Sequence, residues 1–330
     1  MRYLIMGAGA LGSVFGGLLK HRGQSVAFIG RGAHFDQITT RGLTIEGIWG
    51  EFQVGPVAPE PVAGDGYDVI LLCVKSFHTL EACRRVKGLL VPQGLIISVQ
   101  NGLGNLEIIA QEFGPERTVG ARVIFGAQII RPGLARVTVY AEPVLVGAMV
   151  PDSPHPNLAK VVADLNRAGI PTRQVDDIQT HLWGKVLYNC ALNPLGAILG
   201  VPYGALGDHP QTRGLMRRII EEIYRVAEAR GVPLMHADAA SYFTFFLENL
   251  VPATAGHWPS MWQDLQAGRR TEIEALNGAI CRYGEAAGVA TPYNDAISRL
   301  VRFLEHTPRL NPDRPGKVGK HPGKEAGPGG

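Results

Sequence analysis

The amino-acid sequence predicts an α/β fold in which a doubly wound parallel sheet is followed by an all-helical part. Three observations support this prediction: a glycine-rich turn directly after an N-terminal apolar segment, apolar runs of strand length that recur as far as Val175, and helical periodicity from residue 178 onward. Apolar runs without alternation are typical of parallel strands that helices cover on both faces. We therefore predict two domains, residues 1–177 and 178–306, and a tail over residues 307–330.

The composition is that of a globular chain with a mild charge. The 330 residues are 45% hydrophobic and carry a net charge of +3, which is too small to indicate binding to nucleic acid or to an anionic membrane. The four cysteines show no C-x-x-C spacing, and the ten histidines show no H-E-x-x-H pattern. We therefore expect reduced thiols in a cytoplasmic protein, and no metal site. The uncharged residues 4–19 are too few and too rich in glycine for a membrane span.

The N-terminal segment carries a dinucleotide-binding fingerprint. Residues 2–6 (RYLIM) read as a buried strand, the turn GAGALG follows, and residues 13–22 read as a helix. The first glycine of this turn permits the sharp bend, the second lets the backbone approach a pyrophosphate, and the third lets the helix pack against the strand. The helix N-terminus then binds the anion through its free N–H groups. A Rossmann-type domain is therefore expected, and its predicted cofactor contacts are Gly7, Ala8, Gly9, Ala10, Leu11 and Gly12.

The end of the second strand indicates which cofactor binds. Residues 25–29 (SVAFI) form this predicted strand, and Gly30-Arg31-Gly32 follows it without a carboxylate. An Asp or Glu there would bind the ribose 2′-hydroxyl of NAD, whereas an arginine pairs with the 2′-phosphate of NADP. The sequence therefore favours NADP(H) with Arg31 as the phosphate ligand. An exposed loop arginine without a ligand is the alternative.

Two further strand ends supply candidate residues. Residues 68–74 (DVILLCV) are followed directly by Lys75, and residues 94–99 (GLIISV) are followed by Gln100 and Asn101. The carboxyl ends of parallel strands meet at one edge of a sheet, where ligands bind, so we expect Lys75 and Asn101 beside the glycine turn. A solvated lysine and an ordinary Asn-Gly turn are the alternatives. The other predicted elements of this half are a hairpin over 43–54, a helix over 77–90, strands over 118–146, a helix over 157–168 and a strand over 172–175.

The C-terminal half reads as helical throughout. Ile297, Leu300, Val301 and Leu304 show the i, i+3, i+4, i+7 spacing of a core-facing stripe. Such stripes pack either internally or against a second subunit, so a homodimer stays open. The tail is rich in Pro, Gly and Lys and is expected to be disordered. The predicted helices span 178–199, 211–230, 235–250, 260–267, 271–287 and 292–306.

A polar stripe lies within one apolar segment of the helical half. In residues 181–200, HLWGKVLYNCALNPLGAILG, Lys185, Asn189 and Asn193 are spaced at i, i+4 and i+8 and share one helix face. Polar side chains on such a helix need partners, and a cleft with a polar ligand supplies them. Exposure of the stripe to water is the alternative. Pro194 disfavours a helical Asn193, so we expect the helix to end or kink there.

Two segments further along match the capping box, in which Ser or Thr precedes Glu or Gln by three residues. They are SMWQ from Ser260 and TEIE from Thr271. A helix N-cap alone explains Ser260, and a carboxylate in a first helical turn explains Glu272. A ligand role for either side chain therefore needs support from elsewhere in the chain.

Taken together, these segments resemble the ketopantoate reductase family (2-dehydropantoate 2-reductases) over residues 1–306. The resemblance is carried by GAGALG, VKSF from Val74, QNGLG from Gln100, WGKVLYNCALNPLGAI from Trp183 and SMWQDLQAGRRTEIEALNG from Ser260. It implies an N-terminal Rossmann-type domain, a helical C-terminal domain and an active site in the interdomain cleft. It also implies an NADPH-dependent reduction of 2-dehydropantoate to (R)-pantoate, a cytoplasmic step of pantothenate (vitamin B5) and coenzyme A biosynthesis.

The resemblance also implies roles for individual residues. Arg31 would bind the 2′-phosphate and Lys75 would line the cofactor, while Lys185 is similar to the family's general acid. Ser260 would bind the substrate carboxylate and Glu272 the substrate hydroxyl. The full set that the resemblance places at the substrate is Asn189, Asn193, Ser260, Glu272 and Asn101, of which Asn101 and Glu272 also reach the cofactor.

Two departures from the family pattern leave alternatives open. The chain has Tyr203 and His257 where the family often carries Asn, which puts the substrate-side wall and the choice of 2-keto acid in question. One alternative is another NADP-dependent 2-keto acid or 3-hydroxy acid dehydrogenase with the same two-domain plan. A redox-sensing NADP-binding protein without turnover is another, although such a protein needs neither Lys185 nor Glu272.

Overall fold

The structure is a computed structural model that describes residues 1–58, 66–151 and 155–307, so the expected disorder of the tail concerns residues outside the described part. The strands are β1 Arg2–Met6, β2 Ser25–Ile29, β3 Leu43–Gly47, β4 Phe52–Val54, β5 Tyr67–Leu72, β6 Leu90–Ser98, β7 Thr118–Arg122, β8 Phe125–Arg131, β9 Leu134–Tyr140, β10 Val144–Ala148 and β11 Thr172–Gln174. The helices are α1 Ala10–His21, α2 Ala33–Thr40, α3 Thr79–Val86, α4 Asn105–Phe113, α5 Leu158–Arg167, α6 Ile178–Leu199, α7 Tyr203–Asp208, α8 Pro210–Ala229, α9 Ala239–Phe245, α10 Val251–Ala253, α11 Ser260–Gln266, α12 Asn277–Ala286 and α13 Pro292–His306, with a π-helical segment Phe246–Leu250 between α9 and α10. None of the helices in these three ranges is long and apolar enough to cross a membrane.

A seven-stranded sheet forms the centre of the N-terminal half. Its strand order is β11-β10-β7-β6-β5-β1-β2. Strands β2, β1, β5, β6 and β7 are parallel to one another, and β10 is antiparallel to β7. The chain moves from β1 outward to β2 and then returns to the other side of β1 at β5. The switch point at which ligands bind in such sheets therefore lies beside β1.

Alternate residues of the central strands face two different hydrophobic cores. In β1, Tyr3 and Ile5 belong to a cluster with α1 and α5, whereas Leu4 and Met6 belong to a cluster with α3 and α4. Both faces of the strand are covered, which explains why its sequence is apolar without alternation. The cluster that contains Leu4 and Met6 also includes buried residues of α6, α8 and α12. The helical half therefore shares a core with one face of the sheet.

A second sheet of four strands packs over α1. Its order is β4-β3-β9-β8, and β3 and β4 form the antiparallel hairpin predicted over residues 43–54. A Cβ atom added at Gly17 of α1 would lie 2.6 Å from Ile45 Cδ1 and 2.8 Å from Leu43 Cδ2. Glycine at this position therefore allows the sheet to approach the helix closely.

The segment predicted as one helix over residues 77–90 contains several elements. Ser76–His78 and Lys87–Leu89 are 3₁₀ turns on either side of α3, and β6 begins at Leu90. Leu90 pairs with Tyr67 across a bulge in the sheet, so strand pairing replaces the last turn of the predicted helix. The sequence pattern also does not predict α2, α4 and α7, which have only 8, 9 and 6 residues. Helices this short depend on tertiary packing rather than on their own periodicity.

Helix α6 continues through Pro194, so the expectation that the helix ends there is wrong. The helix has 22 residues, begins after the N-cap Asp177 and ends at Gly200, which has a φ of +66°. Pro194 has no N–H group to donate to the carbonyl of Cys190. Instead, Asn277 Nδ2 from α12 donates to Cys190 O at 3.2 Å. A side chain from another helix thus satisfies the carbonyl that the proline leaves without a backbone partner.

The helix predicted over residues 271–287 is interrupted. Ile273–Ala275 is a 3₁₀ turn, Leu276 has a φ of −103° and a ψ of −111°, and α12 starts only at Asn277. The carbonyl of Ala275 accepts a hydrogen bond of 2.7 Å from Leu103 N, in the turn after β6. The first turn of the predicted α-helix is therefore replaced by a 3₁₀ turn whose last carbonyl is hydrogen-bonded to the N-terminal half.

Helix α13 faces the core with three of the four residues of the predicted stripe. Val301 is buried, whereas Leu300 is 49% exposed. The buried carboxylate of Glu222 accepts hydrogen bonds from the backbone N–H groups of Tyr293 and Asn294, both at 2.9 Å, and from the Asn294 side chain at 2.7 Å. Caps of this kind fix the orientation of the first turn. Asn294 consequently points into the core, and Leu300 faces solvent.

We expect Asn277 to stabilise the fold because Pro194 leaves the Cys190 carbonyl free. Asn277→Ala removes that donor and a hydrogen bond to Asn294 Oδ1, and should lower the free energy of unfolding by about 1–3 kcal/mol. In a Pro194→Ala background the backbone N–H returns, so the same change should cost about 1 kcal/mol less. Urea unfolding of the four proteins measures this coupling. Equal costs in the two backgrounds would contradict the account of α6.

Candidate active site

The glycine turn after β1 has two tight positions and one open position. Gly7 has a φ of +112°, and a Cβ atom there would lie 2.9 Å from Cys73 C. A Cβ atom at Gly12 would lie 2.0 Å from Gly7 O, whereas one at Gly9 would meet nothing within 4 Å. The tight positions are therefore those that shape the turn, and the open position is the one that a ligand would approach. Because α1 begins at Ala10 without a side-chain cap, its first N–H groups are available to an anion.

Arg31 is the second residue after β2 and is exposed. Its guanidinium forms no hydrogen bond or ion pair with any residue that the structure describes, so it is available to a phosphate. A Cβ atom at Gly30 would lie 2.7 Å from Ala8 Cβ and 2.6 Å from the Phe35 ring. Glycine before Arg31 therefore lets this loop pack against the glycine turn, which brings the two predicted cofactor contacts together.

His34 anchors the same loop and was not singled out in the sequence. Its Nδ1 accepts a hydrogen bond of 3.1 Å from Gly133 N, and its Nε2 lies 2.9 Å from Ser13 Oγ. Because Nδ1 accepts, the ring proton is on Nε2 and is donated to the serine. Burial lowers the pKa of His34, which favours this neutral form. The imidazole therefore fixes α2 to α1 beside Arg31.

A buried amide network holds the strand ends that carry Lys75 and Asn101. Gln100 Nε2 donates to Val74 O at 2.9 Å and to Thr79 Oγ1 at 2.8 Å. The Thr79 hydroxyl in turn contacts Asn105 Oδ1 at 2.8 Å, and Asn105 Nδ2 donates to Asn101 O at 3.0 Å. These residues fix the loops after β5 and β6 relative to each other. In the sequence these residues are recognisable only as polar side chains next to the end of a strand or at the start of a helix.

Lys185 extends from α6 to the carboxyl edge of the sheet. Its Nζ donates to Asn101 Oδ1 at 2.7 Å and to Val123 O at 2.6 Å. Burial lowers the pKa of Lys185 to about 8; Glu272 opposes this shift and Arg122 adds to it. The structure thus brings Lys185 and Asn101 together, from residues 84 positions apart. A lysine in this state is charged at neutral pH and gives up its proton more readily than a solvated one.

Glu272 faces Lys185 from the other side of Asn101. Its Oε1 accepts from Ser76 N at 3.1 Å, while its Oε2 lies 3.4 Å from Asn101 Nδ2 and 3.5 Å from Lys75 Nζ. The carboxylate therefore reaches across the cleft rather than capping its own helical turn. The Thr271 hydroxyl accepts a hydrogen bond of 3.2 Å from Ile273 N, and the 3₁₀ turn that follows has no side-chain cap.

Lys75 has a stronger partner that the sequence analysis missed. Its Nζ donates to Asp264 Oδ2 at 2.8 Å. Burial works against the charged ammonium, but the carboxylates of Glu272 and Asp264 outweigh it, and the pKa of Lys75 is raised. Lys75 is therefore a permanent cation that links the end of β5 to α11. Asp264 had no recognisable local signal because it reads as an ordinary polar position of a short helix.

The polar residues of α6 beyond Lys185 have different surroundings. Asn193 is buried; its Nδ2 donates to Ser260 Oγ at 3.1 Å and its Oδ1 accepts from Met261 N at 3.0 Å. Its amide therefore ties α11 to α6. Ser260 is exposed and begins α11 without capping it, since the N-cap is Pro259. Asn189 is partly buried, and its side chain makes no hydrogen bond to residues in the described ranges.

The two departures from the family pattern lie next to each other. The rings of Tyr203 and His257 are 5.2 Å apart, and Tyr203 N donates to His257 O at 3.1 Å. Tyr203 is buried against Tyr188 of α6, at 5.8 Å between the ring centres. His257 is exposed.

Lys185, Asn101 and Glu272 lie together at the edge of the sheet that also carries the glycine turn. An ammonium, an amide and a carboxylate meet where the carboxyl ends of β1, β5, β6 and β7 face the helical half. Such an arrangement can stabilise and protonate an oxyanion. Within the described residues, no three His, Cys, Asp or Glu side chains are grouped so that they could hold a metal ion.

Comparison with known families gives matches over both halves of the chain. The family model described as "Ketopantoate reductase PanE/ApbA" matches residues 3–150. The model described as "Ketopantoate reductase PanE/ApbA C terminal" matches residues 177–305. Among curated relatives, the 2-dehydropantoate 2-reductase of Aquifex aeolicus is 38% identical over 92% of this chain and 97% of its own length. That of Pyrococcus horikoshii is 32% identical over 92% and 98%.

Solved structures with the same architecture include a ketopantoate reductase and a D-mandelate dehydrogenase. A PanE/ApbA family ketopantoate reductase from Ralstonia eutropha JMP134 has a TM-score of 0.83 and 33% identity, covering 93% of this chain and 99% of its own. D-mandelate dehydrogenase with NADH and anilino(oxo)acetate has a TM-score of 0.84 and 28% identity, covering 94% and 100%. These proteins share the full length of the fold, including the helical half.

Lys185 is expected to titrate well below the other lysines. In ¹³C NMR of protein with labelled lysine ε-carbons, one signal should shift with a midpoint at about pH 8 and should be missing from Lys185→Met. Between about pH 8 and pH 10.5, Lys185 is protonated in the unfolded chain but has lost its proton in the folded chain. The contribution of this residue to the free energy of unfolding should therefore rise with pH from about 8 to 10.5. A Lys185 midpoint at the value of a solvated lysine would contradict the effect of burial.

Proposed function

The chain belongs to the ketopantoate reductase family, and on that premise we propose that it reduces the ketone of 2-dehydropantoate to the hydroxyl of (R)-pantoate with NADPH. The observation that carries the proposal is the position of Lys185, whose ammonium lies at the carboxyl edge of the sheet between Asn101 and Val123. The reaction is a step of pantothenate and coenzyme A biosynthesis. The cytoplasm is the location that we propose with it.

The N-terminal half supplies the residues that would hold the cofactor. The turn over residues 7–12 would bind the pyrophosphate through backbone N–H groups, because Gly9 leaves it open. Arg31 would pair with the 2′-phosphate, since it is exposed and has no partner among the described residues. Lys75 and Asn101, at the adjacent strand ends, would line the same edge. NADPH, when bound, supplies the hydride that the ketone carbon accepts.

Lys185 would act as the general acid. Negative charge develops on the ketone oxygen during reduction, and an ammonium within hydrogen-bond reach stabilises that charge and donates its proton. The lowered pKa makes the ammonium a stronger acid while it is still charged at neutral pH. Asn101 accepts from Lys185 through Oδ1 and thereby keeps the ammonium directed at the sheet edge.

The helical half supplies the residues that would bind the substrate. Ser260 accepts a hydrogen bond from Asn193, so its own hydroxyl proton is available to the substrate carboxylate. Asn193 would act through Ser260, whereas Asn189 has an amide that can bind the substrate directly. Glu272 Oε2 has only contacts of 3.4 and 3.5 Å in the free protein, so it would accept a hydrogen bond from the substrate hydroxyl.

A second candidate function is the interconversion of a 2-keto and a 2-hydroxy acid with an aromatic side chain. The likeness to D-mandelate dehydrogenase favours it, and so do the rings of Trp258 and Trp262, which lie 4.6 Å apart beside Ser260. The same lysine would serve this reaction, and only the pocket for the side chain would differ. A protein that only senses NADP is disfavoured, because binding alone does not need a desolvated lysine.

We expect a preference for NADPH over NADH that depends on Arg31. Arg31→Ala removes a contact between charged groups, worth about 1.5–3 kcal/mol, and should lower kcat/KM for NADPH while leaving that for NADH unchanged. Arg41→Ala is the matched control, because Arg41 is exposed at the other end of α2. Steady-state kinetics with both cofactors decide the matter. Equal efficiency with NADPH and NADH in the unmodified protein would reject the assignment of Arg31.

We also expect the site to distinguish ketones by their hydroxyl group. Across a panel of 2-keto acids, 2-dehydropantoate should be reduced far better than 2-keto-isovalerate, which lacks the hydroxymethyl group, by up to roughly 10⁴–10⁵ in kcat/KM. A site built to bind a hydroxyl is left with an unpaired polar group when the hydroxyl is missing. Glu272→Ala should shrink the difference by damaging reduction of the hydroxylated ketone selectively. Similar efficiency on the two ketones, or a better rate with an aromatic 2-keto acid, would favour the second candidate.

A further inference from the structure

We propose that Asp264 is a positioning residue that keeps Lys75 from binding Glu272 tightly and so preserves the preference of the site for a hydroxylated keto acid. This inference rests on the proposed function, because it takes Glu272 as the acceptor of the substrate hydroxyl. Asp264 lies on α11, one helical turn after Ser260, and its side chain is 8% exposed.

The carboxylate of Asp264 is shared between two cations. Its Oδ2 accepts from Lys75 Nζ at 2.8 Å, and its Oδ1 accepts from Arg269 Nε at 2.9 Å. Arg269 is held in turn by its backbone N–H, which donates to Asp264 O at 2.8 Å. A buried carboxylate is costly unless it is paired, and here both oxygens are paired. Asp264 therefore has a fixed position from which to hold Lys75.

Lys75 stands between two carboxylates at unequal distances. The 2.8 Å contact with Asp264 is a full hydrogen bond, whereas the 3.5 Å contact with Glu272 Oε2 is not. Glu272 is held by its other oxygen, on Ser76 N. The ammonium consequently leaves Oε2 with lone pairs that a substrate hydroxyl can use.

The removal of the charge on Asp264 would change this balance. With a neutral side chain at position 264, Glu272 is the nearest remaining carboxylate for Lys75, and Coulomb attraction favours a direct ion pair. Such a pair occupies Oε2 and weakens its hydrogen bond to a substrate. The loss would fall on substrates that carry the hydroxyl and not on analogues that lack it.

Residues 75–77 contact residues 264–272 at three consecutive positions. Ser76 N donates to Glu272, and the guanidinium of Arg270 lies over the Phe77 ring at 4.6 Å from its centre. Movement of Lys75 toward Glu272 needs no rearrangement of the backbone, since the two are already adjacent.

The test is the ratio of kcat/KM for 2-dehydropantoate to kcat/KM for 2-keto-isovalerate, with NADPH. In Asp264→Asn this ratio should fall by about 10- to 100-fold, the factor that one hydrogen bond to a charged group contributes, mainly through the hydroxylated ketone. A merely structural role would lower both efficiencies alike and leave the ratio unchanged. Glu274→Gln is the matched control, since that carboxylate lies in the same segment but pairs with Arg302 and Arg282; its ratio should equal that of the unmodified protein.

The double variant Lys75→Gln/Asp264→Asn separates the mechanism from simple damage. Without the Lys75 ammonium the new ion pair with Glu272 cannot form, so the ratio should return toward that of the unmodified protein. A ratio as low as in Asp264→Asn would overturn the proposal. If Asp264→Asn does not fold, Lys75→Gln alone decides: a retained preference supports the proposal and a lost preference overturns it. An unmodified protein without any preference rejects the proposed substrate and the inference together. A preference that survives Asp264→Asn rejects the inference alone.

Discussion

The desolvated ammonium of Lys185 is the constraint on which the rest of the structure depends. Its two acceptors, Asn101 Oδ1 and Val123 O, come from the ends of neighbouring parallel strands, whereas the lysine comes from α6. An ammonium taken out of water is costly unless oxygen atoms surround it. The sheet and the helical half must therefore stay in one relative position for the lysine to be tolerated. The same position lowers its pKa, so domain packing and acid strength are coupled.

Helix α6 is held in place by amide side chains rather than by its own sequence. Asn277 replaces the hydrogen bond that Pro194 removes, and Asn193 binds α11 through both its oxygen and its nitrogen. The helix therefore continues past the proline, with Lys185 at the edge of the sheet and Asn193 buried against α11. The carboxylate of Glu222 does similar work for α13, whose first turn it caps from within the core. The Asn193 amide and the Glu222 carboxylate are both satisfied by specific partners, which favours a single arrangement of these helices.

Local chemistry made much of this structure predictable from the sequence. The glycine turn, the apolar strands of the sheet and the lysine on an apolar helix each have a signal within a few residues, and each is present at the expected place. Contacts between distant residues were not predictable in this way. Asp264 and Lys75 are 189 positions apart, and Asn277 and Cys190 are 87 apart. No periodicity links such pairs, so the sequence could neither reveal Asp264 nor identify Asn277 as the partner of the Cys190 carbonyl.

The most direct test of the role of Lys185 is the single-turnover rate of NADPH oxidation by Lys185→Ala, with saturating NADPH and 2-dehydropantoate at neutral pH. If the ammonium protonates the ketone oxygen, the rate should fall by roughly 10²–10⁴ relative to the unmodified protein. The affinity for NADPH, measured by fluorescence titration, should stay the same, because the lysine lies on the helical side of the cleft. A variant that binds NADPH normally and turns over at the rate of the unmodified protein would contradict the account.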